Sequence, residues 1–165
     1  MIRRVEIVLQ QVPLLFLVII ALYAFWLDYH TGRISNHLTY PAIAIGLLLH
    51  SGLGGWDGLS FSSLGMILGA GPFLVVYFIG LAINKPLIGG GDVKLMGAVG
   101  ALAGPLGAMW SVYYGLWVGA LTALGVLAWH KARHQTPPLT IPFGSCLTLG
   151  VGIALMLHSA AFFTH

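Results

Sequence analysis

The chain carries four carboxylates, Glu6, Asp28, Asp57 and Asp92, and two of them stand where a carboxyl group could do chemistry. Glu6 lies beside Arg3 and Arg4, where a solvated interfacial role suffices. Asp57 sits in Gly54-Gly55-Trp56-Asp57-Gly58, a stretch of turn composition, and reads as a turn residue. Asp28 directly follows the apolar run that ends in Phe25-Trp26-Leu27, and Asp92 follows Gly89-Gly90-Gly91. An aspartate embedded in a bilayer costs about 2.5–3.5 kcal/mol on insertion scales, so it needs a function or a partner. Two readings stay open on the residues alone. In the first, Asp28 caps a helix boundary while Asp92 pairs with Lys94 or caps its own helix. In the second, the two carboxyls share a proton, one activating water and the other protonating a leaving amine. Three successive glycines then leave room for an extended peptide to lie against the backbone.

Other candidates are weaker. His130 and His134 are four apart, as metal ligands on one helix face are, but no carboxylate or Cys accompanies them and Lys131 and Arg133 repel a cation. Neither a metal nor a cofactor is expected. His30 and His37 lie at the two ends of the stretch that follows Asp28; one could tune the carboxyl pair, but the simpler reading is solvated loop histidines. Lys94 could hold Asp92 ionised, meet a substrate carboxylate or anchor an inner loop. Cys146, the single cysteine, excludes an intramolecular disulfide and reads as a small buried residue.

The elements that position these groups follow from composition. Of 165 residues, Lys, Arg, Asp and Glu make up 7% and hydrophobic residues 58%, against about 25% charged in a soluble domain. With a mean hydropathy of +0.94, the bilayer must be part of the solvent. Seven Lys and Arg spread thinly make no tract for nucleic acid. Apolar stretches at 12–27, 38–53, 61–83, 95–129 and 141–163 are the candidate spans. The fourth, as one helix, would run about 52 Å against a hydrocarbon core of about 30 Å, so it must fold back, and Gly104-Pro105-Leu106-Gly107 is the turn. The expectation is an all-α, polytopic integral membrane protein of about six transmembrane helices, forming one membrane-embedded unit over 1–165. Loops 28–37, 84–94 and 130–140 hold five Lys or Arg and the opposite side holds two, which puts those loops and both aspartates at the cytoplasmic face. Tryptophans near the span ends suit an interfacial belt. Gly65/Gly69, Gly100/Gly104 and Gly115/Gly119 read as internal helix packing.

Three blocks of sequence resemble one family. Asp28-Tyr29-His30-Thr31-Gly32-Arg33-Ile34-Ser35-Asn36 is similar to the first aspartate block of type IV prepilin peptidases, in which Ile-Pro-Asn follows the Asp. Gly89-Gly90-Gly91-Asp92-Val93-Lys94-Leu95 resembles the family's GxGD block, and Ile141-Pro142-Phe143-Gly144-Ser145 its Pro-Phe-Gly-Pro segment. The resemblance covers residue 12 to the end. It implies a membrane aspartic endopeptidase with Asp28 and Asp92 as the catalytic pair. Gly89, Gly90, Gly91, Lys94, Asn36, Pro142, Phe143 and Gly144 would shape the site or bind substrate. The implied substrate is a prepilin or pseudopilin, whose short basic leader is removed at the cytoplasmic face of the bacterial inner membrane.

The chain departs from the family at Ser35 and Ser145, where the family has proline; altered loop stiffness is expected rather than lost chemistry. It shows nothing like the cysteine-bearing insert of the long bifunctional members, and resembles the short, peptidase-only form without a methyltransferase region. The reading from a different functional class is a small transporter or assembly subunit using Asp28 and Asp92 as a proton relay.

Overall fold

The computed structural model describes residues 2–32, 34–85, 88–133 and 143–158, with side chains from residue 11 onward. Where water is scarce, long apolar stretches satisfy their backbone polar groups most readily as helix. Four helices result: α1 (Ile2–Thr31), α2 (Asn36–Ala82), α3 (Gly90–Ala132) and α4 (Phe143–Leu157), with no strand among the described residues. The 11–31 part of α1, α2 and α3 are each long and apolar enough to cross a membrane, whereas α4 has 15 residues.

Neither α2 nor α3 is one rod. Their 47 and 43 residues would reach about 70 and 65 Å if straight, more than twice a hydrocarbon core. Each breaks at one glycine, Gly55 (φ 58°, ψ −129°) and Gly104 (φ 71°, ψ −177°). A residue with a Cβ is strained at these positive φ values, and glycine is not. Pro105 then opens the next limb, where its missing N–H has no helical partner to lose. At the first break the chain doubles back on itself: a Cβ on Gly58 would fall on the carbonyl oxygen of His50. In a continuous helix those residues would stand about 12 Å apart. The four helices thus comprise six limbs among the described residues. The expected turn after 103 is present. The expected connection at 54–60 is corrected to a single non-helical residue, so Asp57 lies on helix rather than in an open turn, and it is exposed.

The first limb of α3 is the centre. Residues 92–104 are buried except for half-buried Lys94, and Gly97, Ala98, Gly100, Ala101, Ala103 and Gly104 among them let neighbouring backbones come close. Both limbs of α2 pack on it: Gly46 meets Ala101, Gly65 meets Gly100 and Gly104, and Gly69 meets Met96. The second limb of α3 runs antiparallel to α4, with Gly115 against Leu147 and Gly150, and Gly119 against Phe143. The glycines four apart are therefore internal packing positions. Helix α1 packs chiefly on α4, burying the stripe Leu17, Ala21, Ala24 and Asp28. Leu22, Leu48, Ile67, Val75 and Leu121 are exposed, an exterior suited to lipid.

This packing gives the bundle two ends. Gly55, Asp57 and Gly104 lie at one, joined where Phe61 packs against Gly104 and His50. Asp28, Asn36, Asp92 and Gly144 lie at the other.

Candidate active site

Four chain segments converge on Asp28. The last turns of α1 continue the buried face Leu17–Ala21–Ala24, so Asp28 is buried while Tyr29 and His30 are exposed. Ile34, in the connection to α2, wedges between two helix starts. Its Cβ is 3.1 Å from the point where Gly91 would carry a Cβ, and its Cδ1 is 2.7 Å from the same point on Gly144. A side chain on Gly144 would also lie 3.0 Å from the Asp28 Cγ. The glycine here leaves the space that Ile34 and the Asp28 carboxyl occupy.

Asp28 is held from α4. The Ser145 backbone N–H donates to Asp28 Oδ2 at 2.6 Å, and the Ser145 hydroxyl donates to the same oxygen at 2.8 Å. Ser145 is in the first turn of α4, where backbone N–H groups lack helical partners. Asp28 therefore does cap a helix, α4 rather than α1. Asp92 lies in the first turn of α3, its N–H bonded to the Gly89 carbonyl at 3.1 Å. Both carboxyls thus sit at helix amino-terminal ends, whose dipoles favour negative charge by about 0.3–1 kcal/mol each and offset part of the burial penalty. The two groups are buried and within electrostatic reach of each other.

Lys94 does not pair with Asp92. Its ammonium donates to Asn36 Oδ1 at 2.9 Å and lies 5.0 Å from the Tyr40 ring centre, tying α3 to the start of α2. The glycine run is less open than expected: Gly91 abuts Ile34 and Gly90 abuts the Tyr77 ring at 3.7 Å. Gly89 remains exposed, and its missing side chain faces Asp92 Oδ2 at 3.3 Å. Phe143 packs on Phe73, with ring centres 6.4 Å apart, and fills the space at Gly119, so it supports the site from outside. Pro142, Arg33 and His134 lie outside the described residues. His30 donates from Nδ1 to the Trp26 carbonyl at 2.8 Å and His130 to that of Val126 at 2.8 Å, each on its own helix. Cys146 is buried, with its sulfur 3.7 Å from Thr122 Oγ1.

Ser35, Ile34 and Ser145 lie in the family-like blocks, but the contacts they make at this end of the bundle are not legible there. Ser35 is the N-cap of α2, its hydroxyl accepting the His37 N–H at 3.2 Å. Ser145 carries a sequence signal, since a serine where the family has proline adds two donors that proline lacks.

Apolar helices bearing two neighbouring buried carboxyls at one end define a helical membrane protein with a candidate acid–base centre. The chain belongs to the type IV leader peptidase family, whose profile matches residues 15–153. No curated protein and no solved structure matches the chain.

Proposed function

We propose that the protein is a six-span aspartic endopeptidase of the bacterial inner membrane that removes the basic leader of prepilins or pseudopilins at the cytoplasmic face. The observation that carries the reading is that Asp28 and Asp92 are buried within electrostatic reach of each other at one end of the bundle, each carboxyl at a helix amino terminus. One carboxylate takes a proton from water as the water oxygen bonds to the scissile carbonyl carbon. The other carboxyl gives its proton to the leaving nitrogen as the C–N bond breaks. Proton exchange between the adjacent carboxyls then restores the starting state. A proton relay is less well supported: it wants acidic groups spread through the bilayer depth, whereas these two share one end and Asp57 lies exposed at the other.

The direct test is incubation of the detergent-solubilised protein with a prepilin, followed by electrophoresis. A mobility shift corresponding to leader loss is expected, and it should persist with EDTA and with N-ethylmaleimide. Among the described residues no three His, Cys, Asp or Glu gather at one point, and Cys146 is buried. Cleavage lost to EDTA and restored by zinc would replace the aspartic reading with a metalloprotease one.

Orientation supplies a second prediction. Lys85, Lys94, Lys131 and Arg133 belong to the aspartate end by chain connectivity, and positive charge favours the cytoplasm. In a Cys146→Ser background, an impermeant thiol reagent added to intact cells should label Ser60→Cys and spare Lys85→Cys. Both positions are exposed. The reverse pattern would remove the cleavage site from the cytoplasmic side.

A further inference from the structure

Ser145 stands 117 residues from Asp28 in sequence, yet both of its donors reach one oxygen of that carboxyl, and both side chains are buried. This exceeds what capping needs. A helix start can be capped by one acceptor, and in water either donor would find a partner. Among the described residues Asp28 Oδ1 accepts no hydrogen bond, so the two oxygens of the group are unequal. An oxygen that accepts two hydrogen bonds has both lone pairs engaged and cannot also take a proton. Gly144 flanks the group, and a Cβ there would lie 3.0 Å from the Asp28 Cγ and 3.1 Å from Oδ2. Asp92 has one backbone hydrogen bond, from Gly89, where Asp28 has the N–H and hydroxyl of Ser145.

We propose that Ser145 is a positioning residue for Asp28: its N–H and hydroxyl fix Oδ2 and leave Oδ1 as the atom that takes the proton from water. The inference rests on the peptidase reading above and deepens it by dividing the labour. Asp28 is the carboxylate that activates water. Asp92, lacking the clamp, is the one that carries the proton to the leaving nitrogen. Hydrogen bonds to a charged acceptor are the stronger kind and hold direction as well as distance. Their loss should leave substrate contacts intact and misalign the reacting oxygen, which is a kcat effect with KM unchanged.

The clamp also accounts for the departure from the family's proline. Proline is tolerated in the first turn of a helix, so Ser145→Pro should fold, but it supplies neither donor. Alanine removes the hydroxyl and keeps the N–H. Threonine keeps both.

The test is steady-state cleavage of a prepilin by the full chain in detergent, with each variant first checked by gel filtration and thermal unfolding. Ser145→Ala should lower kcat about tenfold at unchanged KM, and Ser145→Pro should lower it further, to about a hundredfold, from the loss of one and two hydrogen bonds to a charged group. Ser145→Thr should return kcat to within about threefold of wild type. Wild-type kcat in Ser145→Pro, or a rise in KM at constant kcat in Ser145→Ala, would overturn the clamp. Asp28→Asn, run beside them, separates the two ideas. If it is dead while Ser145→Ala and Ser145→Pro are fully active, the peptidase reading stands and the clamp is wrong. If Asp28→Asn cleaves normally, both are wrong.

Discussion

Asp28→Asn and Asp92→Asn should each depress leader cleavage about a thousandfold or more while the protein still inserts and accumulates. Asparagine nearly matches aspartate in shape, so it can remain at the same place in the bundle, but it can neither take nor give the proton. In Asp28→Asn, Ser145 can still donate to the amide oxygen of the new side chain, so α4 keeps its cap and the effect falls on chemistry. Because the two carboxyls act as one unit, the double variant should be scarcely worse than either single. The chain holds its own control in Asp57, which is exposed at the opposite end beside the Gly55 break. Asp57→Asn should cleave at close to the wild-type rate. Substantial cleavage by either single variant of the pair would dissolve the dyad and move the relay reading ahead.

Gly100→Ala should strongly destabilise the fold. A Cβ at 100 would fall on the Gly65 carbonyl oxygen, and one at 65 on the Gly100 carbonyl oxygen, with the Gly104 Cα only 2.8 Å away. Both obstacles are backbone, so no rotamer change relieves them and the limbs must part. Overpacking of this kind costs about 1–3 kcal/mol, and rigid backbone on both sides places Gly100→Ala at the upper end. The damage should also reach function, since Asp92 lies two turns away on the same limb. Gly125→Ala is the matched comparison: nothing lies within 4 Å of its Cβ position, so it should be neutral or slightly stabilising, by up to about 1 kcal/mol. Thermal unfolding in detergent reads both. A Gly100→Ala protein melting with the wild type would mean that α2 and α3 do not touch there.

Much of the architecture is legible in the residues. A 35-residue apolar tract is too long for one crossing, and Gly104-Pro105 is the only place in it where the chain can turn cheaply. Asp28 keeps the phase of Leu17, Ala21 and Ala24, spaced four, three and four apart, so its burial follows from helical periodicity once α1 has a partner. Glycines four apart mark the close approaches, and the GxGD block puts Asp92 at a helix start. The width of the turn at 54–60 is not legible, because its composition suits an open loop as well as a single glycine break between two helices.

Nor do the residues show which helix start meets which carboxyl. Lys94 is two positions from Asp92, yet its partner is Asn36, 58 residues away. Asp28 reads locally as a cap for its own helix and instead accepts both donors of Ser145 on α4. Ile34 has the look of an ordinary apolar loop residue and proves to be the wedge between Gly91 and Gly144. The reason is physical. Helix, face and break are local, set by hydrogen bonds and apolar spacing over a few turns. The pairing of distant groups is decided only when small residues let the limbs close to backbone contact, and a shift of one helical turn, about 5.4 Å, would give every polar side chain a different neighbour. Residue order alone therefore sets six apolar limbs, their breaks and two aspartates at one end. That those aspartates come within electrostatic reach of each other, and that Ser145 holds one of them, is the work of the packing between limbs.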